Sequence, residues 1–478
     1  MNKKEWAEAL GAQNEKTILD VSARTWEYAE PGMKEYKSAE CYTKVLRECG
    51  FDVEEGVSGI PTAFIGTWGE GKPVFGFLGE YDALPGLSQK AACPEHQELA
   101  PGAYGQGCGH NNLGAGALGA ALILRDYLKE TGKSGTVRFY GCPGEEYGSG
   151  KVFMARDGRF DDLDACLTWH PSDLNQVVGT GSLANISAFF IFRGRTAHAA
   201  ATPHLGRSAL DACELMSVGV NYMREHMPSD ARIHYAYKNA GGIAPNVVQD
   251  YACVHYFVRA AKIHDAQALY ERVKKVAQGA ALMTETDLEV QLHEALCDYL
   301  PNRTLDAVAQ RAMEEIGAPA FDDADRELAA RFRATCSPED IASVGKSIAE
   351  MGGDPALIPE DAILHTDILP YLPLEKCMGG STDVGDASYC APTTQLNVAT
   401  CALGTPGHSW QLTAQSGSSL ADKGTMMAAK AMALTALELL DSPETLAEAR
   451  RELNRKTGGV YHCPIPPEIG PSLYEKTA

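Results

Sequence analysis

The chain carries two hydrophobic periodicities, and the place where one gives way to the other divides it. Ala39, Tyr42, Val45 and Leu46 recur at helical spacing, with Gly50 just past them as a stop signal. Residues 14–48 thus predict two helices. Short strands are predicted near 51–55, 62–68 and 74–79, the last two joined by a hairpin that Gly69, Gly71 and Pro73 mark. Residues 113–129, which contain LGAGALGAALIL, are apolar nearly all round, so this helix should be buried. Strands at 136–140 and 165–169 follow. Strand, helix, strand, helix, strand is the order of an α/β domain with a largely parallel sheet.

Near Gly181 the pattern changes. SLANISAFFIFRG predicts a strand, 208–226 a helix, 232–238 and 251–259 two strands, 266–282 a helix and 288–296 a strand. This βαββαβ order makes a small two-layer α+β domain. It interrupts the larger domain, because α/β character resumes with a strand around 396–401 and an alanine-rich helix at 422–440. The expected division is a first domain formed by 1–182 and 300–478, with 183–299 inserted. Helices are predicted at 303–317 and 323–333. The proline- and acid-rich stretch behind them, up to residue 378, has no assigned chemistry.

Composition narrows the function classes. Hydrophobic residues make up 45% and charged residues 22% of the chain, the balance of a globular protein rather than a disordered one. A net charge of −21 argues against nucleic acid and anionic membranes as partners. No run of about 18 apolar residues predicts a membrane span. The polar start, MNKKEWAEALGAQNEKTILD, fits an amphipathic helix rather than a secretion signal. Fourteen cysteines, scattered and mostly inside apolar segments, then suggest free thiols in a reducing cytoplasm.

The candidate chemistry lies in the loops. GQGCGHNN at 105–112 holds Cys108 and His110 two residues apart. If that segment is extended, both side chains point to one side and can reach one metal ion. GEYDALPG at 79–86 follows one predicted strand, GCPGEEYGSG at 141–150 another, and WHP, with His170, a third. His408 lies in GTPGHSW. Ionisable residues at successive strand ends mark the edge where open α/β sheets bind ligands. Cys108, His110, Glu146, His170 and His408 share this glycine- and proline-flanked context. Scattered histidines such as His226, His264 and His293 do not, and read as surface residues. Five N, O and S donors suit one or two divalent ions, zinc or manganese. A thiolate bridging two ions would place an acidified water between them. Glu145, beside Glu146, is then placed to act as general base and to return the proton to a leaving amine.

Taken together, GEYDALPG, GCGHNN, PGEEYGSG, WHP, GRTAHAAATPHLGRSALDA, GGIAPNVVQ and GTPGHSWQ resemble the M20 metallopeptidase and amidohydrolase family, in its amidohydrolase branch. These motifs span roughly residues 75–410 in the family's order. The resemblance implies a catalytic domain with a dinuclear metal site, and an inserted lid that mediates dimer formation. It implies Cys108, His110, Glu146, His170 and His408 as ligands and Glu145 as base. It also implies that His198, in GRTAHA, donates to the developing oxyanion in the site of a second copy of the chain. Asn246 and Arg259 would grip a substrate carboxylate from the lid.

Two positions depart from the family pattern. Glu80 stands where a histidine ligand is common, and Asn111 where an aspartate bridging two metals is common. Cys108 is left as the expected bridge, and Asp82 as a supporting residue of the catalytic site. The implied activity is hydrolysis of the amide bond of an N-acyl or N-aroyl amino acid, first of all an aminobenzoyl-glutamate-like compound. Dipeptidase and N-deacetylase activities use the same site. A homodimer is implied, and a heteromer with a related chain is the alternative. In a non-catalytic partner of a heteromeric hydrolase, the base or ligand set would be damaged.

Overall fold

The computed structural model describes residues 1–471, which form two compact units. The first comprises 1–180, 300–375 and 386–462. The second comprises 181–299, 376–385 and the segment from Cys463 onward.

The first unit is built on a seven-stranded sheet. From edge to edge its strands are Asp52–Glu55, Phe64–Glu70, Gly135–Gly141, Val74–Gly79, Ala165–Ser172, Thr393–Ala399 and Gln176–Val177. The four central members, from Gly135–Gly141 to Thr393–Ala399, run parallel. The flanking strands are antiparallel. The parallel centre is buried on both faces, which is why Val74–Gly79 reads as a continuous apolar run rather than an alternating one.

Helix His110–Thr131 is buried continuously from His110 to Leu128, as its unbroken apolar composition predicts. It packs against helices Lys3–Tyr28 and Ser419–Leu440 and against the sheet. Its glycines permit that close approach. A Cβ on Gly116 would lie 2.6 Å from the Trp169 indole nitrogen, and one on Gly114 would lie 2.5 Å from the Glu80 carbonyl. The helix start is thereby drawn down onto the strand ends. The stretch without assigned chemistry contains a further helix, Pro338–Glu350, whose N-terminus is closed by a capping box of Ser337 and Asp340.

The second unit has the βαββαβ order. Its antiparallel sheet runs Asp287–Leu296, Ala184–Arg193, Tyr251–Ala260, Arg232–Asn239, with helices Ala209–Met223 and Ile263–Thr284 packed on it. Its limits differ from the expected 183–299. Cys377–Met378 pairs in parallel with Gly181–Ser182, and this ladder carries 376–385 into the second unit. His293 is another correction. It is buried, not on the surface, because it lies next to a register shift and packs with His255 around Ser187. Among the described residues, no helix is long and apolar enough to cross a membrane.

Candidate metal centre

The C-terminal ends of the four parallel strands share one edge, and each supplies ionisable residues. Glu80 and Asp82 follow Val74–Gly79, and Glu145 and Glu146 follow Gly135–Gly141. His170 lies near the end of Ala165–Ser172, and His408 lies in the loop after Thr393–Ala399. Cys108 and His110 enter from the loop leading into helix His110–Thr131. An extended segment is not what aligns them. Gly109, between them, has φ +79°, and His110 is already the first helical residue. The turn, rather than a straight strand, aims both donors at one place.

The donors converge in sets. Cys108 Sγ lies 3.4 Å from His170 Nε2. The donor atoms of Cys108, His110 and His170 all lie within 4.8 Å of one another, and so do those of Cys108, Glu146 and His408. Cys108 belongs to both sets. A third set, Glu80, His110 and Glu145, meets the same limit. His110 Nε2 is buried and makes no hydrogen bond. Such a nitrogen is costly in an apolar interior, and a metal ion satisfies it. Thiolate, imidazole and carboxylate together suit a borderline divalent ion.

The electrostatics agree with that fit. Burial pushes the Cys108 thiol far up, so its ionisation calls for the positive charge a metal brings. Burial also opposes ionisation of Glu146, but His408 and His110 outweigh it and hold the carboxyl down at about 2. His408 Nε2 lies 3.2 Å from Glu146 Oε1, and this contact raises the imidazole in turn. Burial, with His110 nearby, lowers His170 and keeps it neutral, the form that ligates.

A supporting layer surrounds the donors. Asp82 is buried, and its Oδ1 accepts from His110 Nδ1 at 2.8 Å while its Oδ2 accepts from the Glu146 backbone N–H at 2.9 Å. It is outside the donor sets, as a supporting residue should be. Glu80 Oε2 lies 3.4 Å from His110 Nε2, and its other oxygen is 2.7 Å from Lys151 Nζ. Burial disfavours the Glu80 carboxylate, yet Lys151 and His110 together keep it ionised. Asn111 is turned away. Its amide donates to Ser22 Oγ at 3.1 Å and to the Ser416 carbonyl at 3.0 Å, so this position braces the helix start.

Lys151 and Glu35 were not legible as site residues. Glu35 is fully buried, and burial together with Asp82 raises its carboxyl to about 8. Lysine and glutamate are ordinarily exposed, and periodicity offers no sign that these two turn inward. The one local hint for Lys151 is its place in the glycine-bounded run GSGK directly after the glutamate pair.

The three residues expected in the lid all lie in the second unit. His198 is exposed, and its Nδ1 accepts from the backbone N–H groups of Ala200 and Ala201 at 3.3 and 3.2 Å. The proton therefore sits on Nε2. His198 pairs with Val247 across an isolated bridge, and Ala199 N–H donates to the Asn246 carbonyl at 2.9 Å, so the His198 and Asn246 segments lie side by side. Arg259 donates from Nη1 to Ser381 Oγ at 3.1 Å, while its buried Nε makes no hydrogen bond.

Comparison with known proteins matches this architecture. One of the two kinds of chain of the p-aminobenzoyl-glutamate hydrolase of Escherichia coli, the B chain, is 45% identical over 458 residues, 95% of either protein. The Xaa-Arg dipeptidase of Mus musculus is 29% identical over 411 residues, 83% of this chain and 79% of that one. A crystal structure from Bacillus subtilis, described as a dinuclear metal binding peptidase of the M20 family, shares the fold. Its TM-score is 0.57 at 16% identity, over 90% of this chain and 99% of that one. Residues 76–359 match the sequence pattern of peptidase family M20/M25/M40. The chain belongs to that family of metal-dependent hydrolases.

Proposed function

We propose that this protein hydrolyses the amide bond of an N-acyl or N-aroyl amino acid, with aminobenzoyl-glutamate as the first substrate to test. The observation that carries the reading is the sharing of Cys108 between two donor sets, with Glu145 beside them. Cys108, His110, Glu146, His170 and His408 would hold two divalent ions, manganese or zinc, with the Cys108 thiolate between them. Such ions supply Lewis acidity at the scissile carbonyl and acidify a water toward neutral pH.

The remaining work falls to the chain's own groups. Glu145 accepts the proton of the attacking water and later gives it to the leaving amine. Its side chain is only 15% exposed, which keeps competing water few. Asp82 fixes the proton of His110 on Nδ1, leaving Nε2 as a lone-pair donor. His198 from a second copy of the chain donates its Nε2 proton to the tetrahedral oxyanion. Asn246 and Arg259 bind the carboxylate of the amino-acid moiety, the guanidinium offering a fork that matches it.

A homodimer joined through the second unit follows from the role given to His198. The E. coli relative is by name one of two different chains of a hydrolase, which supports a heteromer as the other arrangement. A non-catalytic role is disfavoured, since Glu145 and all five donors are present. The fourteen cysteines are all free, which supports a reducing, cytoplasmic setting. The likeness to the mouse enzyme favours one second reading, a dipeptidase acting at the same site.

A hydrolysis screen tests these readings. Manganese- or zinc-loaded protein is offered aminobenzoyl-glutamate, other N-acyl amino acids, N-acetyl amino acids and dipeptides. Preferential turnover of aminobenzoyl-glutamate is expected, and preferential turnover of a dipeptide would transfer the assignment to the second reading. Glu145→Gln should abolish turnover while metal content stays at the wild-type level. An active variant would remove the base.

A further inference from the structure

Two loops carry the groups assigned to the chemistry. One holds Glu80 and Asp82. The other, between Gly144 and Gly148, holds Glu145 and Glu146. Both rest on the short segment 30–35 that joins helices Lys3–Tyr28 and Tyr36–Glu48. The Ala83 N–H donates to the Glu30 carbonyl at 2.9 Å, and Pro31 pairs with Ala83 in a parallel bridge. Gly32 is pressed against the second loop. A Cβ there would lie 3.0 Å from both Gly144 Cα and the Tyr147 carbonyl oxygen.

Met33 occupies the space that two loop glycines leave open. A Cβ on Gly148 would come within 2.8 Å of the Met33 side chain, and one on Gly144 within 3.1 Å. Both glycines and Met33 have positive φ, so the loop and its support are each held in an unusual backbone shape. Glu35 completes the support. Its Oε1 accepts from the Gly144 N–H at 2.7 Å and its Oε2 from Thr62 Oγ1 at 2.9 Å. The Gly144 N–H is the backbone donor immediately before Glu145. A buried ionisable group is an expensive choice for a hydrogen bond that many neutral side chains can make.

We propose that Glu35 is a positioning residue for the general base: by holding the Gly144 N–H from behind, it sets the turn that aims Glu145. The proposal rests on the assignment of Glu145 as base. What the loop needs from Glu35 is reach and an acceptor oxygen, not charge. The raised carboxyl, at about 8 through burial and the neighbouring Asp82, accords with a group that works without being ionised.

Two conservative variants separate reach from charge. Glu35→Gln keeps an oxygen for the Gly144 N–H and turns its amide toward Thr62 Oγ1, which as a hydroxyl can accept. Glu35→Asp keeps the carboxyl and withdraws it by one methylene. Glu35→Gln should hold kcat within about threefold of wild type. Glu35→Asp should lower kcat about 10- to 100-fold with KM and metal content little changed, as expected when a reacting group is misplaced by about 1 Å.

Wild-type kcat in Glu35→Asp would overturn the proposal. So would a Glu35→Gln variant as impaired as Glu35→Asp, or a loss that appears only in metal content. Glu145→Gln, measured alongside, keeps the two assignments apart. If it is active, the base assignment fails. If it is inactive while Glu35→Asp is at wild-type kcat, only the role of Glu35 fails. The double variant Glu35→Asp, Glu145→Gln should be no slower than Glu145→Gln alone, and a further loss would show that Glu35 acts through some other group.

Discussion

Asp82 joins the two donor sets through a single carboxylate: one oxygen accepts from His110 Nδ1 at 2.8 Å and the other from the backbone N–H of Glu146 at 2.9 Å. His110 belongs to one set and Glu146 to the other. An ionised carboxylate only accepts, so it forces the His110 proton onto Nδ1 and fixes the start of the Glu146 side chain at the same time.

Asp82→Asn should therefore weaken metal binding. The amide can serve one of the two N–H groups with its oxygen, but its own N–H₂ then faces the other. If His110 responds by changing tautomer, its Nε2 proton blocks the lone pair. Loss of such an outer partner typically costs 10- to 100-fold in metal affinity. Competition against a chelator of known affinity measures it, and unchanged affinity would remove Asp82 from this role.

Much of this centre was legible in the sequence because strand ends leave a local signature. Glu80, Asp82, Glu145, His170 and His408 each follow an apolar stretch and precede or sit among Gly and Pro residues. The parallel order of the four central strands brings those ends to one edge. Partners from distant parts of the chain left no such mark. Lys151 meets Glu80 across 71 residues of sequence, and Glu35 meets Gly144 across 109. Neither pairing has a period, and both use residue types expected on the surface. Residues 376–385 escaped for a similar reason: a two-residue parallel ladder assigns them to the second unit.

The Lys151–Glu80 pair offers a stability test. The side chain of Lys151 is 0% exposed and that of Glu80 3%. Lys151→Met should leave Glu80 charged in a low-dielectric interior beside His110. Removing one partner of a buried pair costs about 3–5 kcal/mol, whereas replacing both is often close to neutral. Lys151→Met should unfold at clearly lower urea concentration, and Lys151→Met combined with Glu80→Gln should recover most of the loss. A single variant as stable as wild type would mean that the pair is not what keeps this corner folded.

Sharing of sites between chains is testable through His198. With Nδ1 accepting from two backbone N–H groups, the imidazole presents a donor on Nε2 without needing to be protonated. His198→Ala should lower kcat about 10²- to 10³-fold, the usual cost of an oxyanion donor. A mixture of inactive His198→Ala and inactive Glu145→Gln chains should regain up to about a quarter of wild-type activity, because random dimers would be half hybrid with one intact site each. Dimers shown to have exchanged chains but lacking activity would confine each site to one chain.

Acid sensitivity should trace in part to His365, far along the chain from any proposed ligand. This imidazole is buried, and its Nδ1 accepts from the Asn175 backbone N–H at 2.9 Å. Asn175 in turn donates to the carbonyls of His365 and Asp367 and accepts from the Ala399 N–H at 2.7 Å. The group thus ties the segment after Pro338–Glu350 to a central strand. Burial lowers its pKa to about 4. An unfolded histidine titrates near 6.5, so below that pH the unfolded chain takes up a proton that the folded one refuses.

The contribution of His365 is complete above about pH 6.5 and is lost progressively as the pH falls toward 4, by about 3 kcal/mol at most. Protonation also takes the acceptor away from Asn175. His365→Asn keeps an acceptor oxygen near the Nδ1 position but does not titrate. Urea unfolding at several pH values between 7.5 and 4.5 should show a shallower loss of stability for His365→Asn than for wild type, the two curves converging at the acid end. Parallel curves would show that His365 is already protonated in the fold, or that its neighbours relax to accept the charge.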